Sequence, residues 1–244
     1  MTLSKIKKFL ANLISGSPRL FDFTKSIYRF FKKDYLYLEI LHFLDKERNA
    51  SFVQIGSNDG LLNDPLREFI VKRKLKKGLL IEPIPFLYKR LYKNYSYIKN
   101  NDIEIWNGAV LSDGLSTMYT IKHDKLYKYP KTATQISSFD IQHIRKHFPN
   151  SKSIDDDIEK IDVRNISINE ILNALEGTID LLQIDIEGGE FNFILAFPFS
   201  TSKPKMIIYE FDHMTVEEKN RIQNHLEAYG YRVNYDKYDA VAYL

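Results

Sequence analysis

From residue 50 onward the chain alternates short apolar runs with longer stretches whose apolar residues recur at helical spacing. Runs at Phe52–Ile55, Leu79–Ile81 and Ile103–Val110 predict strands. Between the first two, Asp64 as N-cap and Pro65 at the first helical position predict a helix with the apolar face Leu62, Leu66, Phe69 and Ile70. Pro83 and Pro85 interrupt the chain, and Phe86 to Tyr92 predicts a second helix. A short β-ribbon is expected around Ser116–Ile121, and regular structure resumes at Ile158–Val163. Ser167-Ile-Asn-Glu170 reads as a capping box, opening a helix that faces inward with Ile171, Leu172 and Leu175 and stops at Gly177. Ile179–Ile184 is nearly all apolar, the mark of a parallel strand covered on both faces. Lys205–Tyr209 predicts the next strand. A second capping box at Thr215-Val-Glu-Glu218 then opens a helix with Ile222 and Leu226 inside and Gly230 as its stop. Tyr231–Val233 and Ala240–Tyr243 close the chain as an antiparallel pair at a sheet edge.

This order of elements predicts an α/β fold, a doubly wound and mostly parallel seven-stranded sheet with a C-terminal antiparallel edge pair. Two segments break the rhythm. Residues 1–48 interleave lysines with aromatics and show helical periodicity at Tyr37, Ile40, Leu41 and Leu44. They are read as a helical extension, with three roles open: a cover for one edge of the core, a lid or homo-oligomer contact, or a basic surface making weak contact with anionic membrane. Residues 122–157 are polar and poorly periodic, and are expected to be an insertion covering the substrate within the domain at 49–244.

Chemistry enters at the strand ends. Phe52-Val-Gln-Ile55 stops at Gly56 and runs into a polar loop, Ser57-Asn-Asp-Gly60, before a helix. Strand, glycine turn and helix bring backbone close to a nucleotide-like ligand. The spacing is not that of the three-glycine dinucleotide fingerprint, which argues against a nicotinamide dehydrogenase, and no P-loop lysine is present. Glu82 ends the next strand, where a carboxylate can accept hydrogen bonds from two ribose hydroxyls. Gly56, Glu82, Gly108 and Asp185 each end a predicted strand, which in such sheets is the ligand-binding edge.

Composition adds bounds. A chain of 244 residues, 44% apolar, supports one sizeable α/β domain with an appendage. It contains no cysteine, which excludes disulfides and cysteine–zinc sites and fits a cytoplasmic location. A formal charge of +3 does not by itself indicate nucleic acid, and none is expected as a partner. The apolar stretch near Phe9–Ile14, about six residues broken by Asn12, falls short of the roughly 7–15 of a signal peptide and is read as a retained helix.

At these residues the sequence resembles the class I S-adenosylmethionine-dependent methyltransferases, and more narrowly the FkbM family of O-methyltransferases. The resemblance covers roughly residues 50–244. It is carried by Phe52–Gly60 with Asp64-Pro65, Leu80-Ile-Glu-Pro83, Asn107–Asp113, Ser137-Ser-Phe-Asp140, Asp180–Glu190, Tyr209-Glu-Phe-Asp-His213 and Gly230-Tyr-Arg. It implies a Rossmann-like domain in which Gly56, Ser57, Asn58 and Gly60 hold the methionine end of S-adenosylmethionine. Glu82 would hold the ribose, Gly108 and Ala109 the adenine, and Asp185 and Glu187 would border the methyl group. Gln54 stands where many class I enzymes carry a carboxylate that helps hold the ammonium group, so it joins the cofactor set as an amide acceptor. Base methylation of nucleic acid usually comes with an Asn/Asp-Pro-Pro-aromatic tetrapeptide where this chain has Asp185-Ile-Glu-Gly188.

The expected function is methyl transfer to a hydroxyl of a sugar, glycan or related metabolite, with S-adenosylhomocysteine as product. The alternative is a non-catalytic module that binds an adenosine-type ligand or a partner. A hydroxyl acceptor requires a base, and Asp185, Glu187, Glu210 and His213 are the candidates. Glu190 is a weaker candidate, as are His123, His143 and His147 in the insertion. Asp185 also has a structural reading as a helix N-cap, and Glu187 and Glu190 as first-turn carboxylates suited to the helix dipole. Asp185, Glu187 and Glu210 offer oxygen ligands, but nothing in their spacing demands an ion, so no metal is expected.

Overall fold

The computed structural model describes residues 17–31, 34–61, 63–98, 102–110, 117–151 and 153–244. The expectations for residues 1–16 and for Leu62 lie outside these. The described residues open with two helices, α1 (Pro18–Phe31) and α2 (Tyr35–Lys46). Asp34 caps α2, its carboxylate accepting from the Tyr37 N–H at 2.9 Å. Next come β1 (Ser51–Ile55), α3 (Arg67–Val71), β2 (Lys77–Glu82), α4 (Pro85–Tyr95), β3 (Ile103–Asn107), β4 (Ala109–Val110) and β5 (Thr117–Ile121). Two 3-10 turns at 123–128 and 131–135 lead to α5 (Ile141–His147), α6 (Ile154–Asp157), β6 (Ile158–Asp162) and β7 (Asn165–Ile166). The C-terminal half runs α7 (Ile168–Ala174), β8 (Leu181–Ile184), α8 (Glu190–Ala196), β9 (Met206–Glu210), α9 (Val216–Ala228), β10 (Arg232–Tyr235) and β11 (Asp239–Tyr243).

Seven strands form the main sheet in the order β10-β11-β9-β8-β1-β2-β3. β1 pairs in parallel with both β2 and β8, so the order reverses beside it. β11 is antiparallel to both β9 and β10, which makes the sheet mostly parallel with an antiparallel edge. Side-chain alternation splits the core in two. Val53, Ile55, Leu182, Ile184 and Ile207 pack with Ile171, Phe193, Ile194, Ile222 and Leu226. Phe52, Leu80, Leu181 and Ile208 pack on the other face with Ile40, Leu44, Phe69 and Leu91. Each such side chain contributes roughly 1.5–3 kcal/mol by leaving water. Both capping boxes, at Ser167 and Thr215, are formed.

α2 contributes Ile40, Phe43 and Leu44 to the same core as the sheet. α1 docks by a buried ion pair. Arg67, fully buried, donates from Nε to Asp22 Oδ1 at 2.6 Å and from Nη2 to Asp22 Oδ2 at 3.1 Å.

Three local expectations are corrected. The strand expected over Ile103–Val110 is two strands. At Gly108 the chain leaves the main sheet, and β4 pairs with β7 instead. The first helix starts at Arg67, not at Pro65. Asp64 Oδ1 accepts from the N–H groups of Leu66 and Arg67, both at 2.9 Å, so Asp64 caps a turn ahead of the helix. Asp185 does not cap α8. Gly189 is the N-cap, without a side-chain capping bond; Glu190 in the first turn accepts from Ile186 N at 2.7 Å and Gly188 N at 3.0 Å in the loop ahead of the helix, and Glu187 precedes the helix with a left-handed φ of 53°. The insertion at 122–157 is folded, with Ile121, Ala133, Ile136, Ile144, Ile154 and Ile158 forming a small core of its own. No helix among the described residues is long and apolar enough to cross a membrane.

Candidate active site

A cleft of about 750 Å³, including its open mouth, lies at the carboxyl ends of β1, β2, β3 and β8. Its floor is the turn after β1. Gly56 and Ser57 both donate to Ile81 O at 3.0 Å, and Asp185 N donates to Ile55 O at 3.0 Å, which ties three strand ends together. Gly56 has φ of 83°, and a Cβ there would stand 1.6 Å from Asp185 O, so only glycine fits. Asn58, also left-handed with φ of 49°, donates its N–H to Glu82 Oε2 at 2.8 Å and its side-chain amide to Thr134 O at 2.9 Å. It thereby joins the glycine turn, the end of β2 and the insertion.

Glu82 is 4% exposed and lines the cleft. Its Oε1 accepts from Ile84 N at 2.9 Å. Burial pushes its carboxyl up to about 7, against the pull of the two backbone N–H bonds, and the charge of Asp59 adds to the rise. Gln54 is buried on the same wall. Its Nε2 donates to Asp64 Oδ1 at 3.2 Å, while its Oε1 has no hydrogen-bond partner. One end of the cleft is apolar, with Ile84, Leu87, Ala109 and Met118 forming a small cluster joined by Phe139. The mouth carries uncharged polar side chains, Asn63, Thr134, Gln135 and Ser137. Asn63 Nδ2 donates to Gln135 Oε1 across it at 3.3 Å.

At the other end, Asp185 and Glu187 belong both to the cleft and to a cluster of acids and imidazoles. Carboxylate oxygens of Asp185, Glu187 and Glu210 lie within 4.8 Å of one another. Burial, then the charges of Glu187, Glu210, Glu190 and Asp239, hold the Asp185 carboxyl well above the usual carboxylate range. Burial and Glu187 push Glu210 up to about 7 while His213 opposes the rise. His213 Nε2 is 2.9 Å from the fully buried Glu190 Oε2, and its Nδ1 is 3.7 Å from Glu210 Oε2. The Glu190 contact raises the His213 imidazolium above its ordinary range despite burial. His143 Nε2 lies 3.5 Å from Glu187 Oε2.

Of the residues expected at the site, Gln54, Gly56, Ser57, Asn58, Glu82, Gly108, Ala109, Asp185 and Glu187 line the one cleft. Glu210 and His213 stand beside it, in the acid–imidazole cluster. Gly60 is not among the lining residues. Its carbonyl accepts from Arg67 Nη1 at 2.9 Å, and a Cβ on it would meet Leu91 and Tyr95 at 2.5 Å, so it shapes the loop. His123, in the insertion, packs with a tilted ring against Phe86 of α4, with centroids 4.8 Å apart. Sequence reasoning gave no site role to Asp64, Ile84, Thr134, Gln135, Ser137 or Phe139, all of which line the cleft. Of these, Asp64, Ser137 and Phe139 lay within recognised motifs.

A sheet of this order, with its cleft at the reversal beside β1, defines a Rossmann-like α/β domain. The family model described as the methyltransferase FkbM domain matches residues 54–233. The chain belongs to that family of methyltransferases. Comparison with curated protein sequences finds no match. Among solved structures it is similar to a precorrin-6y C5,15-methyltransferase from Geobacter metallireducens, at 12% identity over 85% of this chain and 87% of that one, with a TM-score of 0.44. It is also similar to methyltransferase FkbM from Methylobacillus flagellatus, at 15% identity over 81% of this chain, with a TM-score of 0.46. This chain spans 44% of that longer one. A further similar structure, of TYW2 from P. horikoshii, is a complex with MeSAdo, at 15% identity over 80% of this chain and 56% of that one, with a TM-score of 0.37.

Proposed function

We propose that the chain transfers a methyl group from S-adenosylmethionine to a hydroxyl oxygen of a sugar, glycan or related metabolite, in the cytoplasm, and releases S-adenosylhomocysteine. The supporting observation is a single cleft that runs from an apolar end, past a buried carboxylate, to an unpartnered amide oxygen and a set of acids. Ile84, Leu87, Ala109 and Met118 suit a flat base. Glu82 has two oxygens that each take one backbone N–H and retain lone pairs for a ribose diol. Gln54 Oε1, buried without a partner, requires a donor from a ligand, and an ammonium group supplies one. The residues present therefore fit the methyl donor. When bound, it supplies an electrophilic methyl carbon on a cationic sulfur.

The chain's own side chains do the rest. Asp185 and Glu187 connect the cleft to the acid–imidazole cluster and mark where the acceptor enters. His213 is the proton acceptor in this reading. Glu190, buried and fixed by two backbone N–H bonds, holds His213 Nε2 and leaves Nδ1 toward the cluster. Asn63, Thr134, Gln135 and Ser137 give the mouth amides and hydroxyls, which match an acceptor rich in hydroxyl groups. Holding that hydroxyl in line with the methyl carbon contributes several kcal/mol, with about 7–11 as the range for well-oriented reactions.

Calorimetry with S-adenosylhomocysteine and S-adenosylmethionine tests the donor site. Mass spectrometry of glycans and sugar derivatives incubated with the protein and S-adenosylmethionine tests the acceptor, the expected gain being one methyl group on oxygen. No heat of binding at millimolar ligand overturns the reading.

A further inference from the structure

We propose that Asp185, Glu187 and Glu210 together bind one divalent metal ion of the oxygen-preferring class, magnesium, manganese or calcium. The three side chains come from separate places: the end of β8, a left-handed turn, and the end of β9. One oxygen of each lies within 4.8 Å of the other two. Ligands at about 2.1–2.4 Å from a shared ion stand about 3.0–3.4 Å apart when adjacent and about 4.2–4.8 Å apart when opposed, so three oxygens within this reach can close on one ion by small side-chain rotations. The donors are all oxygen, with no thiolate anywhere in the chain, which selects hard cations.

A second observation points the same way. His143 reaches the cluster from α5 in the insertion and is 9% exposed. Its Nε2 is buried and has no hydrogen-bond partner, although it lies 3.5 Å from Glu187 Oε2. A buried imidazole nitrogen in that position calls for a missing water or ion. A water carried on the proposed ion would donate to it, so His143 positions the ion's water while the carboxylates bind the ion. The backbone at Glu187 is consistent with this. Its φ of 53° is held by a loop that the Glu190 carboxylate organises. Strain of this kind persists where the surrounding structure fixes it, and it gathers at ligand sites.

Ion binding needs neither the methyl donor nor the acceptor, so it is measured apart from the methyl-transfer reading. The full chain is stripped with chelator, dialysed and titrated with manganese(II), and free ion is followed by electron paramagnetic resonance. One ion per chain is expected, with a dissociation constant of about 10⁻⁵–10⁻³ M. Glu187→Gln and Glu210→Gln should each weaken binding at least about tenfold. Bound manganese should broaden the imidazole resonances of His143 and His213 before that of His42 on α2, and magnesium or calcium should reverse the broadening. No stoichiometric uptake up to ~5 mM overturns the proposal. So does unchanged affinity in both variants, or equal broadening of His42. If Glu187→Gln fails to fold, Glu210→Gln and the broadening pattern decide. S-adenosylhomocysteine binding, measured on the same ion-free sample, reports on the donor site alone.

Discussion

Glu82 gives the donor site a measurable pH dependence. In the unliganded chain burial lifts its carboxyl from an ordinary 4.5 to about 7. A ribose diol donates hydrogen bonds to a carboxylate far better than to a carboxylic acid, so bound nucleoside favours the ionised form. Ligand and proton therefore compete. At pH 6 about nine-tenths of Glu82 is protonated, and S-adenosylhomocysteine should bind about tenfold more weakly than at pH 8, a difference of about 1.4 kcal/mol. The stability of the unliganded chain moves the opposite way. Because the folded value lies above the unfolded one, the Glu82 contribution is full below about 4.5 and is lost as pH rises through about 7. A ligand that satisfies the carboxylate restores it, so the thermal shift caused by saturating ligand should grow between pH 6 and pH 8. Titration calorimetry in two buffers of different ionisation enthalpy should show proton release near pH 6 and none at pH 8. Glu82→Gln should abolish that release and weaken binding at pH 8 by about 1.5–3 kcal/mol, the usual loss for a hydrogen bond to a charged group. Equal dissociation constants at pH 6 and pH 8, or a glutamine variant as tight as the parent at pH 8, would remove Glu82 from the ribose site.

Three further perturbations test the frame around that site. Arg67→Met leaves Asp22 and the carbonyls of Gly60 and Asn94 without their guanidinium. Urea unfolding should show a loss of about 3–5 kcal/mol, partly restored by adding Asp22→Asn, and a loss below about 1 kcal/mol would contradict the buried-pair account. Gly56→Ala puts a Cβ 1.6 Å from the Asp185 carbonyl and should abolish folding or ligand binding, whereas Gly177→Ala, with φ of 80° but nothing within 4 Å, should cost only about 1 kcal/mol by circular dichroism melts. His213→Asn should lower turnover about 10²–10⁴-fold while changing the affinity for S-adenosylhomocysteine less than about threefold. Parallel losses in both would assign His213 a purely structural part.

The sheet was legible because its strands carry a local signature. Phe52–Ile55, Ile179–Ile184 and Lys205–Tyr209 are apolar at nearly every position, and the capping boxes at Ser167 and Thr215 mark two helix starts by hydrogen bonds that span only three residues. The strand-end residues that line the cleft were legible for a related reason. Gly56, Glu82, Gly108 and Asp185 sit at strand ends, and parallel pairing in register brings strand ends to one edge whatever lies between them. Where a non-local contact decides the local structure, the same reading fails. Arg67 is polar by sequence yet fully buried, because Asp22, forty-five residues earlier, neutralises it. The strand expected through Val110 breaks at Gly108 because Arg164 and Ile166 offer a second partner.

The insertion shows why the acceptor side resists a sequence reading. Its apolar residues, Ala133, Ile136, Ile144, Ile154 and Ile158, are spread over short turns and meet one another without any single helical or strand period. Their packing sets where Thr134, Gln135 and His143 stand, and the Thr134 carbonyl and the Gln135 and His143 side chains meet residues far away in the chain: Asn58, Asn63 and Glu187. The acid–imidazole cluster arises in the same way. Asp185 and Glu187 come from the end of β8 and the turn after it, Glu210 and His213 from the end of β9 and the turn after it, and His143 from α5, and their spacing exists only once the sheet has paired β8 with β9. Strand-end motifs can therefore mark the cleft one segment at a time. In the proposed function the chemistry at the acceptor end depends on how three segments meet, so substitutions that repack the insertion core should shift acceptor preference more than they shift the affinity for S-adenosylhomocysteine.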